Sequence, residues 1–532
     1  MSQQFIQKAS AAMTERLKAN PMIIAIAVSL AAFMEVLDTT IANVALSSIA
    51  GSLGATADES TWVLTSYLVS NGIVLPLSGW LSGLLGRKNF FLLCIFGFSL
   101  TSFLCGISTS LAMLIICRLL QGLAGGGLQP SQQAIIKDAF PKEKLGMAFA
   151  VTGITMVVAP IVGPVLGGYI TDNFNWRWIF FMNVPVGLLA AFLVNMLVED
   201  TPESAKKDVG AIDYMGLGFI TLGLGALQVV LDKGQQEDWF RSNFILLFAV
   251  IAAVGIILAI LWLREQEHPV IELSLFKLRS FSMACLMMFF VGFTLYSSAA
   301  LLPMMVQINF GYNATLSGFV LSPSGITTIL LMPLIGKLTG MVQAKYLIAF
   351  GMMMNAVGMI VTGWITPQTD YGTFVFVRIL QTVGLPFLFV PCSILAFSQI
   401  TAEHSSNASA IFSLMRNLGG SIGISLATSF VVRSQQIHQA VLVDHLTYAD
   451  PGYRQALAVY GKTLSSVGGL STDGSALGKI YQELVRQASI LAYADTYHML
   501  AAVLLVLGVA AFFMPSNLKK IPPEGAQVQE TS

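Results

Sequence analysis

Apolar stretches of about twenty residues or more recur along the whole chain and are separated by short polar segments. A run of this length can cross the hydrocarbon core of a bilayer as a helix. Helices satisfy every backbone hydrogen bond internally, as lipid requires. The pattern therefore predicts an all-α polytopic membrane protein with about fourteen transmembrane helices. The predicted spans lie near residues 22–46, 60–83, 89–107, 111–136, 145–170, 178–198, 212–231, 243–263, 281–308, 314–338, 346–366, 372–398, 405–432 and 491–514.

Composition supports a membrane protein and excludes several other classes. Apolar residues make up 55% of the chain and charged residues 11%, whereas soluble domains carry about 25% charged residues. The formal net charge is zero, so no basic surface is available for nucleic acid. All five cysteines fall inside apolar runs, the histidines have no metal-ligand spacing, and no GxxxxGK[ST] loop is present. We therefore expect no disulfide, metal or other cofactor, and no use of ATP.

The distribution of basic residues predicts the orientation. Fourteen spans leave both termini on one side, and that side carries about twice as many Lys and Arg residues as the other. The positive-inside rule makes it the cytoplasmic side. The longest polar segment, residues 434–490, then lies outside the cytoplasm as a long loop. It is either a lid or partner-docking element, or a solvated elaboration without function.

Two short internal echoes indicate a repeat. Residues 76–81 recur as 333–338, and Arg118-Leu119-Leu120-Gln121 recurs as Arg378-Ile379-Leu380-Gln381, at offsets of about 257 and 260. Repeats of this kind are common in secondary transporters. The expected organisation is a cytoplasmic segment at 1–20, a six-helix half at 21–200, two inserted transmembrane helices at 201–265, a second six-helix half at 266–514 including the loop 434–490, and a cytoplasmic tail at 515–532.

Three ionisable residues inside predicted spans are the strongest candidates for chemistry. Glu35 and Asp38 share one face of the first span, and Arg118 lies among apolar residues of the fourth. An intramembrane charge costs about 3 kcal/mol or more unless it is paired, hydrated or neutralised, and it indicates a functional site. Arg118 cannot lose its proton, so we expect it to pair with Asp38 or Glu35. A fixed positive charge opposes protonation of its partner until the geometry changes, which makes a switch; a permanent structural tie is the alternative.

The fifth span combines apolar character with helix breakers. Pro160 and Pro164 share one face, as do Gly163 and Gly167. In lipid such a segment stays helical, and a face without side chains lets a neighbouring helix approach closely. The sequence thus predicts a bent, buried helix that packs tightly and flexes. An ordinary small-residue packing face is the alternative.

Several of these segments resemble a known family. Gly153 with Gly163-Pro164-Val165-Leu166-Gly167-Gly168 resembles the fifth-helix motif of drug:proton antiporters in the major facilitator superfamily. The segments that resemble the fourteen-span drug:proton antiporter-2 group, the EmrB/QacA type, are residues 37–46, 176–185 and 416–421. Residues 79–88 resemble the superfamily's gating motif but carry Gly83 where an aspartate is usual, which puts the charge lock on that face in doubt. This departure is more similar to proteobacterial EmrB-like pumps than to the superfamily at large.

The resemblance implies a proton-driven exporter of amphipathic compounds in a bacterial inner membrane, working with a periplasmic membrane-fusion adaptor and an outer-membrane channel. We expect Asp38 to be the main proton site and Arg118 its charge partner, with Glu35 as a second carboxylate that meets cationic substrate. The conformational motif comprises Gly153, Pro160, Gly163, Pro164, Gly167 and Gly168. The candidates for the substrate pocket, for which plain packing is the alternative, are Phe33, Met34, Tyr67, Asn71, Tyr296, Met304, Gln307, Phe387, Arg416 and Asn417.

Three alternative functions remain open. The protein could transport one specific metabolite, lipid or siderophore with protons. It could take up substrate by symport, although the fifth-span motif is associated with exporters. It could also be a membrane receptor or assembly protein that transports nothing.

Overall fold

The computed structural model describes residues 20–141, 144–199, 213–266, 269–401, 403–444, 446–448, 450–466 and 473–514. Within these ranges every regular element is helical, and fourteen helical segments are long and apolar enough to cross a membrane. The predicted all-α architecture and number of spans are confirmed. Most of the two predicted cytoplasmic ends, and residues 200–212 at the predicted boundary of the inserted helices, lie outside the described residues.

The first half of the chain forms six spans. Its helices are α1 (Pro21–Leu53), α2 (Ala57–Ser60), α3 (Trp62–Leu85), α4 (Arg87–Gly106), α5 (Leu111–Gly125), α6 (Leu128–Ala139), α7 (Leu145–Asn173), α8 (Trp178–Phe181) and α9 (Asn183–Leu197). Helices α5 and α6 together make the fourth span, and α8 and α9 the sixth. We call the two ends of the bundle the Pro21 end and the Leu53 end, after the two ends of α1.

The remaining helices form the two inserted spans and the second half. They are α10 (Tyr214–Lys233), α11 (Asn243–Glu265), α12 (Arg279–Phe310), α13 (Ala314–Leu338), α14 (Ala344–Thr362), α15 (Tyr371–Val383), α16 (Pro386–Phe397), α17 (Ser405–Val443), α18 (Pro451–Ser466) and α19 (Asp473–Ala510). Short 3₁₀ turns cover Trp239–Arg241, Leu273–Lys277 and Ala511–Phe513. Helix α10 packs against α3 and α17, and Gln228 of α10 donates to Ser421 Oγ at 3.1 Å.

The prediction of an irregular loop at 434–490 is wrong, because most of this segment is helical. Helix α17 continues to Val443, α18 covers Pro451–Ser466, and α19 begins at Asp473. Helix α17 has 39 residues, about 58 Å at 1.5 Å per residue, whereas the hydrocarbon core is about 30 Å thick. Polarity predicts a segment outside the membrane but does not decide its backbone, because a polar segment can be helical when it packs against another helix. Here α17 and α19 pack together, and α18 packs on α19.

The two halves meet along α7 with α13 and along α3 with α17. Glycines permit the first contact at both ends of the helices. A Cβ on Gly318 would lie 2.8 Å from the Val165 backbone near the Leu53 end, and one on Gly336 would lie 2.7 Å from the Gly146 carbonyl oxygen near the Pro21 end. The two helices therefore run in backbone contact through most of the bundle, so α7 belongs to the seam between the halves.

Candidate functional site

Asp38 lies near the middle of α1 and is only 2% exposed. Its Oδ2 accepts a hydrogen bond from Arg118 Nη1 at 2.5 Å, and its Oδ1 accepts from Asn183 Nδ2 at 2.6 Å and from Gln121 Nε2 at 3.2 Å. The carboxylate is thus surrounded by donors from α5 and α9. Of the two acceptors that the sequence offered to Arg118, the structure selects Asp38, which confirms the predicted pairing.

Arg118 is completely buried and is held from several sides. Its Nε donates to the Val63 carbonyl at 3.0 Å and its Nη1 to Gln121 Oε1 at 2.8 Å. The guanidinium carbon lies 4.3 Å from the centre of the Tyr67 ring, a cation–π distance. Helix α3 can come this close because Gly122 has no side chain, and a Cβ there would overlap the Tyr67 carbonyl. The charge is therefore fixed in position beside Asp38.

Glu35 lies one turn before Asp38, is 2% exposed, and has a different set of partners. It accepts hydrogen bonds from Tyr67 Oη at 2.9 Å, from Asn71 Nδ2 at 3.1 Å and from Gln129 Nε2. All three donors come from the first half. Because none of them is charged, Glu35 has no counter-charge within that half, unlike Asp38.

Gln129 connects Glu35 to the second half of the protein. Its Oε1 accepts a hydrogen bond from Arg416 Nη2 on α17, and Arg416 is completely buried. The amide therefore joins a carboxylate of one half to a guanidinium of the other. Arg416 also lies 3.4 Å from Asn417 Oδ1 and interacts electrostatically with Tyr296. Five predicted pocket residues thus gather around Glu35 at the seam between the halves: Tyr67, Asn71, Tyr296, Arg416 and Asn417.

Helix α7 links this site to the second half through its small residues. A Cβ on Gly163 would overlap the Thr40 hydroxyl, and one on Gly167 would lie 3.2 Å from the Ile41 carbonyl. Both contacts fall on α1 within a turn of Asp38. At another level Gly153 faces Met332 of α13. The predicted close packing is confirmed: α7, with Pro160, Pro164 and Gly168 inside it, lies between the helix that carries the carboxylates and the opposite half.

A polar network joins the halves at the Pro21 end. Arg87 forms an ion pair with Asp138 of α6, and its Nε donates to Ser406 Oγ of α17 at 3.2 Å. Lys137 Nζ donates to the Ile400 and Thr401 carbonyls at 3.1 and 3.0 Å. Although position 83 lacks the usual aspartate, Asp138 supplies a carboxylate to Arg87. This ion pair lies within the first half, so the contacts that cross the seam here are the hydrogen bonds from Arg87 and Lys137.

Comparison with known proteins identifies the family. Residues 28–424 match the model of the Major Facilitator Superfamily. The chain belongs to the Major Facilitator Superfamily. It is 36% identical to the multidrug export protein EmrB of Escherichia coli (strain K12), with 93% of this chain and 95% of that protein covered. It is 33% identical to the fatty acid resistance protein FarB of Neisseria gonorrhoeae, covering 88% and 91%.

Solved structures show the same fold at low sequence identity. The proton:xylose symporter XylE bound to 6-bromo-6-deoxy-D-glucose matches 93% of this chain and 96% of its own, with a TM-score of 0.58 and 13% identity. The human organic anion transporter MFSD10 matches with a TM-score of 0.56, 12% identity and coverage of 91% and 99%. This member of the superfamily is a multi-pass membrane transporter rather than an enzyme.

Five other predicted pocket residues do not join the cluster around Glu35. Met34 is 1% exposed and packs toward Gly187 of α9, inside the first half. The Phe387 ring lies 4.9 Å from that of Phe350, whose side chain is 53% exposed on the bundle surface. An all-apolar helix gives no indication of which side faces the seam, so the sequence could not place these two side chains, and their role in a substrate pocket stays a prediction. The remaining three are Phe33, half-buried in the packing of α1, Met304, beside a separate cavity, and Gln307, exposed near the end of α12.

Sequence reasoning missed Gln129, which links the two halves. It also left Gln121 and Asn183 out of the site, although both donate to Asp38. All three are amides in apolar spans, and a buried amide must find hydrogen-bond partners. That signal was present in the sequence, and Gln129 is the second residue of α6, just after the glycine-rich break that separates α5 from α6.

Proposed function

We propose that this protein is a proton-coupled antiporter that exports drugs or other amphipathic compounds across the bacterial inner membrane. The observation that carries the proposal is the buried Asp38–Arg118 ion pair, one turn from Glu35 at the seam. A membrane-embedded carboxylate that is paired in one state and released in another can bind and release a proton. The similarity to multidrug export proteins supports export as the direction and drugs as the cargo.

The geometry suggests how proton binding follows conformation. Arg118 keeps its charge, so protonating Asp38 in the present arrangement would leave a buried guanidinium unpaired. Protonation is therefore favoured only when α1 moves relative to α5 and α9, which hold the donors to Asp38. Helix α7 touches α1 at Thr40 and Ile41 and touches α13 of the other half. A relative motion of the halves is thus transmitted to the helix that carries Asp38.

Substrate would bind at the seam around Glu35. A cationic group can take the place of the Gln129 amide on the carboxylate, and Tyr67 and Tyr296 offer aromatic surface for an apolar portion. Breaking the Gln129 link would free Arg416 as well. Substrate binding and proton binding thus act on neighbouring residues of α1, which provides the competition that antiport requires.

The observed state fits a step of alternating access. If the Pro21 end is cytoplasmic, the links Arg87–Ser406 and Lys137 to Ile400 and Thr401 close the cytoplasmic side of the seam. Transporters of this architecture move their halves around a fixed central site. Reversing the motion would break this network and expose Glu35 to the cytoplasm.

The proposal is tested with purified protein in proteoliposomes and a growth-inhibition panel in a pump-deficient host. We expect drug addition to release protons from loaded vesicles, and expression to raise resistance to amphipathic compounds. Asp38→Asn should eliminate both effects at equal expression. Proton movement without any drug dependence, or drug transport indifferent to a proton gradient, would contradict antiport. A lack of any transport would favour a receptor or assembly role.

A fatty acid or similar lipid is the second candidate cargo. The similarity to the fatty acid resistance protein FarB supports it, and Arg416 places a positive group at the seam where a carboxylate could bind. Including long-chain fatty acids in the resistance panel distinguishes the two cargoes. Resistance to fatty acids alone would identify a lipid exporter of restricted specificity.

We further propose that a periplasmic adaptor docks on the helical extension formed by the end of α17 and the start of α19, and that an outer-membrane channel completes the system. This extension carries apolar side chains that are exposed in helical register. Ile437 and Val441 are 57% and 54% exposed, and Leu477 and Tyr481 are 48% and 50% exposed. Apolar side chains at spacing i, i+4 on a helix beyond the membrane indicate a contact surface.

Substituting Ile437 and Val441 with serine tests this surface. We expect less adaptor co-purification and lower resistance in cells, with transport in proteoliposomes unchanged. Gln436→Ser on the same helix, also exposed, serves as the control. Undiminished co-purification of the double variant would place the docking surface elsewhere.

A further inference from the structure

The second half contains a buried arginine at the position that repeats Arg118. Arg378 lies on α15, is completely buried, and precedes Gln381 as Arg118 precedes Gln121. Its Nη1 donates to Gln381 Oε1 at 3.1 Å, as Arg118 Nη1 does to Gln121. The repeat thus places the same Arg and Gln pair in the core of each half.

The carboxylate that neutralises this arginine in the first half is missing from the second. Ser298 follows Asp38 by about 260 positions, the same offset that separates Arg378 from Arg118. In the structure Arg378 Nη1 donates to Ser298 Oγ at 3.1 Å. A neutral hydroxyl therefore occupies the place of the Asp38 carboxylate.

Arg378 consequently retains an uncompensated charge among the residues that the structure describes. Its Nε and Nη2 have no hydrogen-bond partner, and neither does the nearby Tyr497 hydroxyl on α19, itself completely buried. The guanidinium cannot be neutralised by losing its proton. A buried charge without a counter-charge is strongly unfavourable. A bound anion would therefore stabilise this site.

We propose that Arg378 and Tyr497, beside Ser298, bind a small monovalent inorganic anion, with chloride as the physiological example. The ion would accept hydrogen bonds from the two free guanidinium N–H groups and from the tyrosine hydroxyl. A small ion is expected because Arg378 and Tyr497 are both completely buried. The ion would tie α15 and α19 together as a fixed counter-charge.

The two halves would differ in whether the partner of the buried arginine can bind a proton. A carboxylate can exchange a proton at accessible pH, which suits coupling, whereas chloride cannot. The first half would then hold the titrating member of the repeat and the second a permanent ion pair. The proposal concerns binding and stability, so it stands independently of the substrate and of proton coupling.

Thermal unfolding of the purified full-length protein in detergent tests the site. Sodium chloride or bromide replaces sodium gluconate at constant ionic strength. We expect a saturable rise of the unfolding midpoint, about 2 °C or more, because a ligand that binds only the folded state stabilises it. Equal midpoints in chloride and gluconate would overturn the proposal.

Ser298→Asp supplies the missing carboxylate and locates the effect. The unfolding midpoint of this variant in gluconate should be at least as high as that of the wild type in chloride. Its midpoint should not change when chloride is added. Ser298→Asn has nearly the same shape without the charge and should keep the response. Persistent chloride dependence in Ser298→Asp would overturn the assignment to Arg378. Should that variant not fold, wild-type crystals in bromide must show an anomalous peak beside Arg378; its absence would refute the site.

Discussion

Separating the stability of the Asp38–Arg118 pair from its role in coupling requires two single variants and their combination. Asp38→Asn keeps the side-chain volume but leaves the Arg118 charge without its counter-charge. Arg118→Gln leaves the carboxylate with only its amide donors, Asn183 and Gln121. Removing one partner of a buried ion pair costs about 3–5 kcal/mol. Because each remaining charge keeps neutral partners here, we expect each loss near 3 kcal/mol, the lower end of that range.

The combined variant should lose much less than the two single variants together. With both charges gone, the amides at positions 38 and 118 can hydrogen-bond, and no buried charge is left unpaired. We expect a coupling free energy of about 2–3 kcal/mol between the two positions. Unfolding in denaturant or by heat, on protein purified in one detergent, gives the four stabilities of this cycle.

Transport should respond differently from stability. All three variants should fail to release protons on drug addition in proteoliposomes, since none has both the titrating carboxylate and the guanidinium that controls it. The combined variant, stable but uncoupled, would show that the loss is not caused by unfolding. If the stability losses of the two single variants simply add in the combined variant, the buried ion pair is refuted. Normal proton release from Asp38→Asn would refute the assignment of Asp38 as the proton site.

Three further predictions concern other parts of the chain. Glu35→Gln should weaken export of cationic compounds more than of neutral ones, measured as resistance in cells; equal losses would indicate coupling instead. Gly163→Val should slow transport at normal expression, because its side chain would overlap Thr40 and force α7 from α1, whereas Gly218→Val, in open space on α10, should not. Asp370→Ala should lower the unfolding midpoint at neutral pH. In acid the midpoints of this variant and of the wild type should be equal. Hydrogen bonds from Thr373 lower the Asp370 pKa, so its stabilisation is lost as pH falls through that lowered value.

How much of the site could be predicted depended on the kind of partner each residue has. A buried arginine requires an acceptor, so the pairing of Arg118 followed from the cost of its charge. Glu35 is held by Tyr67, Asn71 and Gln129, all neutral. No charge rule selects such partners, because many polar side chains in apolar spans could serve. The sequence named Tyr67 and Asn71 only as pocket candidates and missed Gln129, so their hydrogen bonds to Glu35 required the structure.

The number and position of the spans could be predicted, because length and polarity decide them. The backbone conformation of the polar segments could be predicted less well. Spans follow from apolar length, and all fourteen were found. The segment 434–490 was polar, which indicates solvent but does not distinguish an irregular loop from a helix. Its helices are stabilised by contacts that are distant in sequence, such as Ser434 and His438 with Asp495. The orientation of Phe387 could not be predicted for a related reason, because the rotation of an apolar helix about its axis is set by its neighbours.

The amide between Glu35 and Arg416 has a consequence for how easily the halves separate. Opposite charges 4 Å apart attract with about 4 kcal/mol at an effective dielectric constant of about 20, and about half of that at twice the distance. A direct Glu35–Arg416 pair would thus hold the halves together strongly in every cycle. Gln129 keeps the charges further apart while satisfying both, and its own hydrogen bonds can be exchanged for those of a substrate. An acid at position 129 would attract Arg416 directly and repel Glu35, so Gln129→Glu should slow transport by favouring the state closed at the Pro21 end.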